Sequence, residues 1–278
     1  MQNQATLRNA IEFSGVGLHT GRAASVRVLP APAGSGLRFR LDGAVEFPAH
    51  PDYVVDTRRA TVLGLGEHRV STVEHLLSAL SGTGITNALI AVDGPEIPAS
   101  DGSALEFTAA IDAAGILEQP LACARTVVRE PQVFRDGSAV LAVLPAAAFR
   151  VRMTIDFPAP VGAQYLDYDG AADNYRTAIA PNRTFGFRHE VEALLERGLA
   201  MGGSLDNAVV FDTDGPLVAL RAANEPVRHK VLDLIGDFAL LGAYPQCEVI
   251  AVKSGHALHF AAVRALVDRV AVSAASAG

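Results

Sequence analysis

The order of elements recurs at half the chain length, and that recurrence limits what the chain can fold into. In the first half, strand-like residues 6–30 and on to about 66 precede a helical stretch at 71–80, a short apolar strand at 88–92 and a helix from 103 to about 114. In the second half, residues 126–129, 139–145 and 149–157 read as strands, the last alternating at period two. A helix at 226–241, a strand at 248–252 and a helix from about 258 to 270 follow. A supersecondary unit that recurs in this way points to a duplicated fold. The expected class is α+β, with one domain over 1–120, a linker at Gln119-Pro120, and a second domain over 125–272. The second half carries extra sequence at about 188–211, with its own short helix from 191 to 197.

Composition excludes several classes. With 50% apolar and 19% charged residues among 278, the chain is expected to bury a well-filled core. A formal charge of −7 argues against nucleic acid as the main partner. Cys123 and Cys247 form neither a metal-binding spacing nor a disulfide framework, so a reducing cytoplasm fits. Met1-Gln2-Asn3-Gln4 lacks the regions of a signal peptide. No apolar run approaches the ~18 residues of a spanning helix. The small, polar residues 273–278 read as a disordered tail.

The chemistry gathers in the helix from Pro226 to Leu241. Pro226 suits a first helical position and Gly242 a stop. His229, Asp233 and Asp237 stand four apart, in one stripe. An imidazole and a carboxylate at that spacing suit one divalent metal, and a salt-bridged surface stripe fits the same pattern. If the halves pack face to face, the helix at Ser71 and the helix at Pro226 meet at one cleft. His75 then supplies a third ligand, and His75, His229 and Asp233 make a site of two imidazoles and one carboxylate, with one position open for catalysis. Glu74 carries two readings. Ser71-x-x-Glu74 has the form of a capping box, and a carboxylate next to a ligand can accept a proton from water. Ser103-Ala104-Leu105-Glu106 has the capping-box form as well. His256 follows Ser254-Gly255 after an apolar strand, where active-site loops lie, and Asp237 is a candidate to orient it. Lys230 and Lys253 flank this region as candidate anion contacts or as plain solvated lysines.

Eight stretches, in order along the chain, carry a resemblance. They are Ser14-Gly15-Val16-Gly17-Leu18-His19-Thr20-Gly21, Ser71-Thr72-Val73-Glu74-His75-Leu76, Pro95-Glu96-Ile97-Pro98, Asp101-Gly102-Ser103, Arg183-Thr184-Phe185-Gly186-Phe187, Gly202-Gly203-Ser204, Arg228-His229-Lys230-x-x-Asp233 and Lys253-Ser254-Gly255-His256-Ala257-Leu258. With them the chain resembles the zinc-dependent UDP-3-O-acyl-N-acetylglucosamine deacetylases of lipid A biosynthesis. The resemblance implies two similar domains, each a layered strand-and-helix sandwich, with the helical layers packed together and the active site between domains. It implies hydrolysis of the N-acetyl group of a UDP-glucosamine that bears a 3-O-hydroxyacyl chain. Zn²⁺, or Fe²⁺, would sit on His75, His229 and Asp233. Glu74 would be the base, His256 the acid, Thr184 the oxyanion donor and Asp237 the support of His256. Lys230, Lys253 and Phe185 would contact the diphosphate and sugar, and the segment after Phe187, with Val191, Ala200 and Leu205, would wall an acyl passage. The expected partner is the small-molecule substrate alone, met by a cytoplasmic monomer that approaches the membrane at most transiently. Ala60 and Ser100 depart from the residues common in the family, and Arg58 and Arg59 leave the acyl length open. Two other functions stand beside this one: a catalytically silent duplicate that binds UDP-sugar or acyl groups, and a metal amidohydrolase on another N-acetyl sugar.

Overall fold

A computed structural model describes residues 3–171 and 173–271; the expected tail at 273–278 lies outside them. The duplication is visible in the sheets. In the first half, five strands run in the order Ile11–Val16, Ala23–Pro30, Ala88–Asp93, Leu37–Leu41, Val45–Pro48. Ala88–Asp93 is antiparallel to Ala23–Pro30 and parallel to Leu37–Leu41. In the second half, Gln132–Asp136 pairs with Ala139–Pro145, which pairs antiparallel with Tyr244–Val252. Tyr244–Val252 is parallel to Arg150–Asp156, which pairs with Ala163–Asp169. Strand for strand, the second pattern repeats the first. Burial alternates along Arg150–Asp156 and Tyr244–Val252, so Val151, Met153, Ile155, Cys247, Val249 and Ala251 face inward, as period-two side chains must on a one-sided sheet.

The described residues include six helices: α1 (Glu74–Gly82), α2 (Leu105–Ala114), α3 (Tyr175–Ala178), α4 (Arg188–Glu196), α5 (Glu225–Phe238) and α6 (His256–Leu266). The helix layers meet through α1 and α5, which pack along each other, while α6 packs on α5 and on the strand pair at 132–145. In α5 every residue except Arg228 and Lys230 is buried. A helix enclosed on all sides cannot show a single apolar face, and the polar stripe of His229, Asp233 and Asp237 therefore points inward. Gly236 permits this packing. A Cβ there would strike the backbone carbonyl of Glu74, so the residue without one lets α5 touch the first turn of α1. Gly242, in a left-handed conformation at φ 62°, ends the 3₁₀ turn that extends α5.

Several sequence expectations are corrected. Gln119-Pro120 is not a linker: Ile116–Ala122 is a strand, antiparallel to Asn3–Leu7, and the register shifts between Asn3 and Gln4. The shift leaves Pro120 and Leu121 unpaired, and a bulge is where a sheet tolerates proline. Neither capping box forms. Ser71 is held in a bridge to Glu96, Thr72 has φ 56°, and α1 starts only at Glu74. In α2 the N-cap is Ala104, and the Ser103 hydroxyl accepts instead from Leu105 N–H at 3.0 Å. The last helix begins at His256, not Leu258, and stops at Leu266, followed by a 3₁₀ turn.

Candidate metal centre and active site

The first turn of α1 and the middle of α5 place three ligand atoms together. Nitrogen or oxygen atoms of His75, His229 and Asp233 lie within 4.8 Å of one another, and all three residues are buried. Asp233 Oδ1 is 3.3 Å from His229 Nε2 and 3.6 Å from His75 Nε2. Ligands at about 2.0–2.1 Å from a tetrahedral ion are separated by roughly 3.3 Å, close to both edges that Asp233 makes. The imidazoles cross edge-on with centroids 5.0 Å apart. His229 Nδ1 donates to the Asn182 carbonyl at 3.0 Å, which leaves Nε2 with a free lone pair. Burial pulls His229 down to about 4, so at neutral pH it is the uncharged imidazole a metal needs. Lys230 Nζ holds the other Asp233 oxygen at 2.6 Å. The donor set fits a divalent ion.

Glu74 stands beside this cluster and serves no cap. Its Oε2 accepts from Thr61 N–H at 3.0 Å, and its Oε1 is 3.7 Å from His256 Nε2. Burial pushes its carboxyl up to about 7, against the pull of His256. His256 enters from the first turn of α6. Burial acts to lower it, but the Asp237 carboxylate at 2.7 Å outweighs burial and holds it up at about 9. A group that takes a proton near neutrality thus faces one that holds a proton there, across the same cavity.

That cavity encloses about 770 Å³. Thr184, Phe185, Lys230 and Lys253 line it together with the cluster. Thr184 is set by both halves of the chain: its N–H donates to Gly102 O and its carbonyl accepts from Val209 N–H, each at 2.8 Å. Next to it, Arg183 is buried against Glu225 at the start of α5, with Nε 2.9 Å from Oε1, so the Arg-Thr-Phe stretch is tied to the helix that carries the ligands. Val191, Leu194, Ala200 and Leu205 wall the cavity from the inserted segment, whose helix is α4. Leu195 and Met201 are exposed. Lys253 lines the cavity but also pairs with Asp156 at 2.6 Å. Arg59 faces the cavity, whereas Arg58 turns to Asp56 at 2.7 Å. Every residue singled out from the sequence for the site is therefore at this cavity, except Asp237, which reaches it through His256.

The sequence reading gave no role to three residues that hold the site together, although Glu96 stands in one of the matching stretches. His259 shares Asp237 with His256, and Thr61 bonds both Glu74 and Asp237. Glu96 is fully buried and accepts from the N–H groups of His19 and Thr20 and from the Thr72 hydroxyl, fixing the loop that carries His19 to the cavity. His259 lies three residues after His256, a helical spacing that signals a shared face once the helix start is known.

The family described as LpxC, UDP-3-O-acyl N-acetylglycosamine deacetylase, matches residues 4–268. A UDP-3-O-acyl-N-acetylglucosamine deacetylase from Anaeromyxobacter sp. is 46% identical over 266 residues, covering 94% of this chain and 88% of that protein. Proteins of the same name from Nostoc sp. and Acidithiobacillus ferrooxidans are each 44% identical, over 92% and 97% of this chain and 95% and 91% of their own lengths. No helix among the described residues is long and apolar enough to cross a membrane. With a match that runs through both halves and every element of the site, the chain belongs to the UDP-3-O-acyl-N-acetylglucosamine deacetylase family.

Proposed function

We propose that this chain hydrolyses the N-acetyl group of UDP-3-O-(3-hydroxyacyl)-N-acetylglucosamine, releasing acetate, as a step of lipid A biosynthesis. The observation that carries the reading is the buried meeting of His75, His229 and Asp233 beside Glu74 and His256 in one cavity. His75, His229 and Asp233 would hold Zn²⁺, and the same donors also accept Fe²⁺. When bound, the ion would supply Lewis-acid polarisation and an acidified water, with a pKa of about 7. Glu74 accepts the proton of the attacking water. The Thr184 hydroxyl donates to the oxygen on which negative charge develops. His256 protonates the leaving amine, whose departure without a proton would be slow, and Asp237 keeps the imidazole charged and aimed. Lys230, Lys253 and Phe185 would meet the diphosphate and sugar. Val191, Ala200 and Leu205 would flank the acyl chain.

Residues 1–120 and 125–272 are, on this reading, the two domains, with the reacting groups drawn from both. The protein works as a cytoplasmic monomer that meets the membrane only transiently; free, buried Cys123 and Cys247 accord with a reducing compartment. A silent duplicate is disfavoured because ligands, base and acid all stand together. A deacetylase for a sugar without the acyl chain is disfavoured by the apolar wall that the insert adds to the cavity. Metal analysis of the purified chain, combined with acetate release from the acylated UDP-sugar, tests the proposal. Less than one metal per chain after reconstitution, or no acetate, would end it.

A further inference from the structure

Three donors converge on the buried carboxylate of Asp237. Its Oδ2 lies 2.7 Å from His256 Nδ1 and 2.7 Å from His259 Nδ1, and its Oδ1 accepts from the Thr61 hydroxyl at 2.5 Å. An ionised carboxylate only accepts, so both Nδ1 atoms carry hydrogen. The far nitrogen of His259, Nε2, is 3.0 Å from the Ser254 hydroxyl. His259 is fully buried, and burial lowers its basicity, so its ring is neutral and Ser254 donates to Nε2. Both ring nitrogens of His259 are thereby engaged. His259 does not line the cavity, whereas His256 does, and no step of the reaction described above uses it. The two histidines stand at i and i+3 of α6, on one face, with rings edge-on at 6.0 Å.

We infer that His259 is a positioning residue for the deacetylation, fixing the Asp237 carboxylate so that His256 holds its Nε2 toward Glu74 and the substrate. The inference rests on the deacetylase reading. Without His259, Thr61 at Oδ1 would be left to anchor Asp237 against His256 itself, and the carboxylate could turn about that oxygen together with the imidazole it should aim. A second N–H on Oδ2, from a ring that Ser254 holds at its other end, removes that freedom. The bonds form a closed circuit: Ser254 to His259, His259 to Asp237, Asp237 to His256, and back along the chain through Gly255. A circuit of this kind sets the direction of the acid without touching the substrate.

Two variants separate hydrogen bonding from packing. His259→Leu keeps the bulk and loses the donor. His259→Asn loses bulk and keeps an N–H that can reach the carboxylate. With the zinc-loaded full chain acting on UDP-3-O-(3-hydroxyacyl)-N-acetylglucosamine, His259→Leu should lose roughly 10–100-fold in kcat, with KM and bound zinc within about twofold of the parent. His259→Asn should recover to within about fivefold of the parent kcat. Ser254→Ala, which removes the far anchor and leaves Asp237 paired, should lower kcat by about 3–10-fold at unchanged KM, and keeps the test decisive if His259→Leu does not fold. A parent that releases no acetate overturns the deacetylase reading and the inference with it. With an active parent, equal kcat losses in the Leu and Asn variants, a loss confined to KM or to zinc content, or a Ser254→Ala variant with parental kcat overturns the inference alone.

Discussion

On the proposed mechanism Glu74 and His256 divide the proton work because their surroundings set them apart, Glu74 at about 7 and His256 at about 9. Glu74 must be deprotonated to accept a proton, and burial raises it to about 7, so the rate should climb as pH rises through that value. His256 must be protonated to donate, and Asp237 holds it at about 9, so the rate should fall above that value. A kcat profile with limbs near these positions checks the assignment. Asp237→Ala removes the anion that outweighs burial, so the imidazolium loses support and the basic limb should move to lower pH. His256→Ala should lose roughly 10²–10⁴ in kcat and keep its metal; loss of metal would make His256 a ligand instead. At this scale the sequence was informative where spacing itself carried the geometry. His229 and Asp233 at i, i+4 had to share a face of any helix. Glu74 was ambiguous, because the same four residues spell a capping box, and only the fold decides against it, through the bridge at Ser71, the positive φ of Thr72 and the helix start at Glu74. His259 was not legible. Gly255, the N-cap of α6, has no side chain to signal a helix start, so His256 and His259 did not read as neighbours on one turn.

Among the elements, α5 is the one that joins sheet, partner helix and site, and two of its residues make that testable. Gly236 is where α5 meets the Glu74 carbonyl of α1. Gly236→Ala must part the helices or strain them, at a cost of about 1–3 kcal/mol. Glu74 moves with the α1 backbone, so kcat should fall more than stability alone explains; thermal unfolding and kcat measured together would show it. Arg183→Ala takes the ion-pair partner from buried Glu225 at the start of α5 and leaves its carboxylate only the backbone N–H groups of residues 183 and 221, at a cost of up to about 3–5 kcal/mol. Its melting temperature should drop on the order of 10 °C, and a drop of only a degree or two would mean that water replaces the arginine. The inward stripe of α5 was hard to read, since His, Lys and Asp at helical spacing look the same on a solvated face. The strand at 116–122 was hidden for another reason: Pro120 and Leu121 occupy a bulge, and a proline in a short polar stretch reads as a break. The ambiguity of the stripe and the misreading of the strand both come from tertiary context that no local window contains.

For the whole molecule, duplication builds a cleft between two halves, and the insert on the second half makes one wall of it apolar. The repeat was legible as element order; the wall was legible only as an excess of Leu, Val and Ala in a short helical segment, which packing against the body would explain equally well. The structure separates these. Leu195 and Met201 are exposed and lie off the cavity, while Val191, Leu194 and Ala200, partly buried, and Leu205, at an exposed edge, line it. An acyl chain lying along that wall gains about 0.8 kcal/mol per methylene, or roughly fourfold in affinity. Shortening the chain by four methylenes should then raise KM on the order of 200-fold, as long as the removed part lay on the wall. Chain length alone leaves open where the acyl group lies, because any greasy surface would respond. Val191→Trp supplies the missing control. A large ring at this half-buried position narrows the passage and leaves the metal ligands, Glu74 and His256 untouched. It should raise KM for the long-chain substrate by about tenfold or more and leave the short-chain substrate nearly unchanged, since the cost of displacing roughly two methylenes falls only on a chain that reaches Val191. Steady-state kinetics on the two substrates with both proteins would read this crossover. If the variant impairs both substrates alike, the segment serves packing and the acyl chain runs elsewhere.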